Sequence, residues 1–169
     1  MTDNHHESRQ WPLWASLLVA MLLTLTPSPD WYNDLFPGIN LRPNWLLLVS
    51  FYWAIALPQS FSVGRVWVVG ILLDIISGGL LGRQALGLVI AIWIAQKFYL
   101  QLRQFPLGQQ AFVIGLLCLA QQLTVLWIDG ATGNLSEPLQ YFLPILSTTA
   151  LWPLCFPLLR KLRITLHVR

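Results

Sequence analysis

Asp74 is the residue that most needs a chemical reason to be where it is. It lies in the apolar run Gly70-Ile71-Leu72-Leu73-Asp74-Ile75-Ile76, and a carboxylate at the centre of a lipid bilayer costs about 2.5–3.5 kcal/mol on insertion scales. Its helical neighbours three and four residues away are Gly70, Ile71, Ser77 and Gly78. Three of these are small, so another helix can approach that face closely and the acid should point inward. Three roles stay open. Asp74 can pair with Arg42 or Arg83, accept backbone N–H groups where the helix breaks at Ser77-Gly78-Gly79, or stay protonated as a proton or ligand site.

Other polar positions suggest structure before chemistry. Gly78-Gly79-x-x-Gly82-Arg83 lacks the Lys-Ser/Thr pair of a phosphate-binding loop, so its glycines are expected to permit a sharp turn. Ala111, Gly115, Cys118 and Gln122 follow helical spacing as a small, polar stripe. Gln122, with its neighbour Gln121, is expected to hydrogen-bond to another helix. Asn44, directly after Pro43, is placed to cap a helix.

Enzymatic templates find little support. His5, His6 and His167 all lie in the tails, whereas an intramembrane serine protease needs its base at membrane depth. An aspartic pair needs a second buried acid, and Asp129 is expected among the headgroups. His5-His6-Glu7 reads as a solvated tail rather than a metal site. Cys118 and Cys155 lie in apolar stretches and form neither a disulfide framework nor a zinc site. No catalytic residue, cofactor or metal is expected.

The elements that must position these groups are membrane spans. Of 169 residues, 56% are hydrophobic and only 10% charged, where a soluble domain carries about 25%. Mean hydropathy is +0.60. So few charges cannot cover a water-facing surface. The net charge of +3 does not indicate nucleic acid, because the basic residues punctuate apolar runs instead of clustering on one face.

Apolar runs place six spans near 11–26, 44–58, 66–80, 84–100, 107–128 and 139–159. The chain, 1–169, is therefore expected to be one integral membrane domain. With the amino terminus in the cytoplasm, Arg9, Arg65, Lys97, Arg103, Arg160, Lys161, Arg163 and Arg169 fall inside. Arg42 and Arg83 alone fall outside, joined there by Asp30, Asp34, Asp129 and Glu137. That bias favours six spans with both termini cytoplasmic. The first span lacks a small-x-small cleavage site before Pro27-Ser28-Pro29 and reads as a retained anchor. Trp11, Trp14, Trp31, Tyr32, Trp45, Trp127 and Trp152 mostly fall near span ends, as interfacial anchors do. Pro144, Pro153 and Pro157 should kink the sixth span.

Several of these motifs resemble one family. Arg42-Pro43-Asn44-Trp45, Tyr52-Trp53-Ala54-Ile55-Ala56-Leu57-Pro58 and Val63-Gly64 resemble the second span of the bacterial rod shape-determining MreD proteins. Gly70 to Gly78 with Leu81-Gly82 resembles that family's third span and turn, and Leu151-Trp152-Pro153 its last span. The likeness runs from Trp11 to Arg163 and is nearest the proteobacterial type. The tail 1–8 and the loop 129–138 match least.

The resemblance implies a non-enzymatic, multi-pass subunit of the cell-wall elongation machinery in the bacterial inner membrane, maintaining rod shape. It implies direct binding of MreC and a connection to cytoplasmic MreB filaments and peptidoglycan synthesis. RodA and a penicillin-binding transpeptidase would belong to the same complex. The family is also similar in fold to the six-helix substrate-binding components of energy-coupling factor transporters. That likeness supplies the alternative function, a small-molecule-binding membrane component of a transporter. Asp74, Ser77 and Gly78 would then hold the bundle at the third helix, with Gly82-Arg83 in the turn and Gln122 as interhelical glue. Arg42-Pro43-Asn44 would fix the outer mouth.

Overall fold

A computed structural model describes residues 11–26, 41–133 and 138–165, with the side chains of 138–140 left aside. The loop acids Asp30, Asp34 and Glu137, the tail 1–8 and His167 lie outside the described residues. Among those described, the chain forms seven helices and no strand. They are α1 (Trp11–Leu25), α2 (Trp45–Ala56), α3 (Val63–Ile76), α4 (Arg83–Lys97), α5 (Tyr99–Gln104), α6 (Leu107–Thr132) and α7 (Pro138–Thr165).

Local chemistry sets where these helices begin. Pro43 cannot donate to a preceding turn, and Asn44 behind it caps α2 by accepting the Leu47 N–H at 3.1 Å. Ser62 does the same for α3, accepting the Gly64 N–H at 3.2 Å. The end of α3 is a Schellman arrangement in which Gly79 N–H donates to the Asp74 carbonyl and Gly78 N–H to that of Ile75. Gly78 takes the left-handed φ of 65° that this cap requires, and Gly82 the φ of 91° that re-aims the chain into α4. The glycines thus form the sharp turn expected of them.

α2 is apolar on every side and almost wholly buried from Leu46 to Ile55, which makes it the central helix. α1, α4 and α7 pack around it, α3 lies on α4, and α6 lies between α4 and α7. The surrounding helices bury one face each. On α6 this face is Gln110, Ala111, Ile114, Gly115, Leu117, Cys118, Gln121, Val125 and Asp129.

The outward faces are as apolar as the inward ones. Val19 and Leu22 on α1, Ile75 and Ile76 on α3, Trp93 on α4, Phe112 and Trp127 on α6 and Leu154 and Leu158 on α7 are all exposed. A bundle that is apolar inside and out suits a lipid surround and not water. Two helices, Leu107–Thr132 and Tyr141–Thr165, are long and apolar enough to cross a membrane. α1 to α4 have 12 to 15 residues each. At roughly 1.5 Å per residue they reach only about 18–22 Å.

One expectation needs correcting. Trp152 is not an interfacial anchor. It is fully buried, its ring centroid lies 4.9 Å from that of Phe51, and its indole N–H donates to Gln110 Oε1 at 3.3 Å. A buried indole satisfied in this way packs the core. Trp53 is also buried and donates to Ser16 Oγ at 2.8 Å, tying α2 to α1. Trp11 and Trp127 are exposed, as anchors would be. α7 runs as one helix from 138 to 165 with its three prolines inside it. Near the first of them, Ser147 and Thr148 donate their hydroxyls to the Pro144 carbonyl.

Candidate functional site

The polar groups that composition made so scarce converge at one end of the bundle, around the first turn of α4. A helix start leaves N–H groups without intrahelical partners. Gly82, at the N-cap of α4, has no side chain to satisfy them. Asp74, reaching over from the end of α3, supplies the missing acceptor. Its Oδ2 accepts the N–H of Gly82 at 2.9 Å and of Ala85 at 3.3 Å, and its Oδ1 accepts that of Gln84 at 2.9 Å. The side chain is only 2% exposed. These acceptor oxygens sit at the positive end of the α4 dipole.

The partners of Asp74 are thus backbone amides, as in the second of the three roles, although the donors come from 82–85 and not from the break at 77–79. Gly70 explains how α4 comes so close. A Cβ there would lie 2.7 Å from Ala85 Cα, so only glycine admits that approach. Ser77 and Gly78, expected on the same inward face, are exposed and belong to the turn.

The pairing of Asp74 with Arg83 is corrected by what Arg83 does instead. Its guanidinium forks onto Asp129, Nε to Oδ1 and an Nη to Oδ2, both at 2.6 Å. The Tyr141 hydroxyl donates to the same Oδ2 at 2.7 Å. Asp129 is therefore a second buried acid, its side chain 3% exposed against 31% for Arg83. Asp129 lies in the last turn of α6, which runs to Thr132, and a matched cation and phenol offset its loss of water. Two acids from two helices thus hold the same turn of α4. Asp74 grips its backbone and Asp129 grips the side chain of Arg83.

From Gln84 a chain of hydrogen bonds continues into the bundle. Gln121 Nε2 donates to Gln84 Oε1 at 3.3 Å, and Asn44 Nδ2 donates to Gln121 Oε1 at 2.8 Å. The Asn44 backbone N–H donates to Thr148 Oγ1 at 2.9 Å. Thr148 is also the partner of the Cys118 thiol at 4.0 Å. Asn44 thus caps α2, as the sequence suggested, and ties it to α6 and α7 as well. Arg42 and Pro43 stand just outside this point, Arg42 exposed and Pro43 half-buried.

The interhelical glutamine is Gln121, which is 1% exposed, while Gln122 is half-buried. From Cys118 the next inward position can be three or four residues on. Counting four selects Gln122; the helix uses three, and the same face then continues to Val125 and Asp129. Gly87 lies against this contact, where a Cβ would be 2.8 Å from Gln121 Cγ. Asp129, Tyr141, Gln84 and Thr148 had no sequence signal of comparable strength, since their partners are 12 to 104 residues away.

Each polar group in this cluster is engaged by another part of the chain. Such an arrangement clamps α2, α3, α4, α6 and α7 together. Among the described residues, no three His, Cys, Asp or Glu side chains gather as a metal site would need.

Comparisons with known proteins agree with the motifs. The family model for rod shape-determining protein MreD matches residues 6–162. The rod shape-determining protein MreD of Haemophilus influenzae is 31% identical over 161 residues, covering 94% of this chain and 96% of that protein. No solved structure matches the chain. With a family model and a relative both spanning nearly its full length, the chain belongs to the MreD family of rod shape-determining proteins.

Proposed function

We propose that the chain is a non-enzymatic, six-span inner-membrane subunit of the cell-wall elongation complex. In this reading it binds MreC directly and helps couple MreB filaments to peptidoglycan synthesis, alongside RodA and a penicillin-binding transpeptidase. Family membership supplies the role in rod shape. The observation that supports a scaffold over a catalyst is the use made of the polar groups. Asp74, Asp129, Arg83, Gln121 and Asn44 are engaged with one another or with backbone. A catalytic group needs a face open to substrate.

The six-span reading draws on the apolar outer faces of α1, α3, α4, α6 and α7 and on the inward bias of Lys and Arg. The short α1 to α4 would sit in a locally thinned bilayer or be extended by flanking residues. The likeness to substrate-binding components of energy-coupling factor transporters belongs to the same reading as fold-level analogy. Within it, Asp74, Ser77, Gly78, Gly82 and Arg83 brace the outer end of the bundle, and Arg42-Pro43-Asn44 frames its mouth.

The test is depletion of the protein in a rod-shaped host, with affinity purification from native membrane. Rounding of the cells and co-purification of MreC are the expected results. Normal rod shape after clean deletion, with no second copy present, would overturn the proposal.

A further inference from the structure

α1 and α7 both pack on α2 but scarcely on each other, and a lengthwise groove of about 790 Å³ runs between them. Trp45 and Val49 of α2 form its floor. Ala15, Val19 and Leu23 line it from α1, and Leu158 from α7. Among the described residues the lining contains one charged side chain, Lys161, and no acid. Lys161 shares its end of the groove with Trp11, an exposed indole of the kind that marks a membrane–water boundary. Arg160 and Arg163 flank it in sequence.

We propose that this groove holds one anionic phospholipid, its phosphate against Lys161 and an acyl chain lying along α1 toward Leu23. Two features choose this occupant. Among the described residues the groove is apolar along its length and cationic at one end only, which is the charge pattern complementary to such an amphiphile. From Trp11 to Leu23 it extends roughly 18 Å at the helical rise, enough to seat one acyl chain, whose leaflet depth is about 15 Å. The proposal rests on the reading that the bundle spans a bilayer.

The full chain, purified in mild detergent, is incubated with equal amounts of phosphatidylglycerol and phosphatidylethanolamine, and the retained lipid is counted by native mass spectrometry. Phosphatidylglycerol is expected to be retained about fivefold over phosphatidylethanolamine, the preference that one basic residue at the surface supplies. Lys161→Gln, at an exposed position, should bring the two lipids close to parity. Val19→Trp should reduce retention of both with an unchanged unfolding temperature. Equal retention by the native chain, an intact preference in Lys161→Gln, or a polypeptide retained in place of lipid would each overturn the site. Extraction by alkaline carbonate is measured on the same chain. Release by carbonate would overturn the spanning reading itself, a failure distinguishable from loss of lipid preference.

Discussion

Arg83 and Asp129, 46 residues apart, meet through two parallel contacts of 2.6 Å that lock the start of α4 to the end of α6. Planar guanidinium and carboxylate match each other in this geometry, which a lysine could not reproduce. Tyr141 adds a third hydrogen bond from α7. Removing Asp129 leaves the part-exposed Arg83 uncompensated and the Tyr141 hydroxyl without its charged acceptor, whereas removing both ion-pair partners leaves no lone charge. Asp129→Asn should therefore destabilise the protein by about 1–3 kcal/mol. The double variant Arg83→Met with Asp129→Leu should recover most of that loss. Thermal unfolding in detergent of the single and double variants measures this, and equal loss in both would argue against a buried ion pair.

Asp74 acts through its acceptor oxygens. Asp74→Ala leaves three N–H groups at the start of α4 without their acceptor, and should cost at least about 2 kcal/mol. Asp74→Asn keeps one acceptor oxygen and should lie between Ala and the native residue. The order Asp, Asn, Ala in unfolding temperature is the signature of a cap. A proton-carrying role would instead make Asn as damaging as Ala.

The choice between Gln121 and Gln122 is directly testable. Gln121→Leu strands the amide of Asn44 and the carbonyl of Gln84, a loss of about 1–3 kcal/mol. Gln122→Leu should stay within about 0.5 kcal/mol. The reverse order in a thermal shift assay would place the other face of α6 inward.

Gly70 and Gly79 form a matched pair for close approach. Gly70→Ala drives a Cβ to within 2.7 Å of Ala85 Cα and should cost about 1–3 kcal/mol through overpacking. Gly79 has nothing within 4 Å of an added Cβ, so Gly79→Ala should change stability by less than about 0.5 kcal/mol. Comparable folded yields of the two variants would exclude the α3–α4 contact described above.

Much of the local architecture was legible from residue order. Asn44 behind Pro43 announced the α2 cap, and the glycines between 78 and 82 announced the turn. Gly70, one helical turn before Asp74, announced a close neighbour. What could not be read was which partner each polar group meets. Asp74 had Arg83 available by charge but meets three backbone donors at α4 instead, where Gly82 brings no cap of its own. The partners of Asp129, Arg83 and Tyr141, are invisible to a local window.

Composition and order alone determined that this chain is helical, built for lipid rather than water, and poor in groups for catalysis. Charge density and apolar run length decide those properties, and both can be counted along a sequence. Tertiary structure decided the register: Gln121 over Gln122, Trp152 in the core, and Arg83 with Asp129 instead of Asp74. The physical reason is that a buried polar group lowers its free energy by finding a complementary partner at about 3 Å. That distance depends on how whole helices pack, and no local spacing contains it.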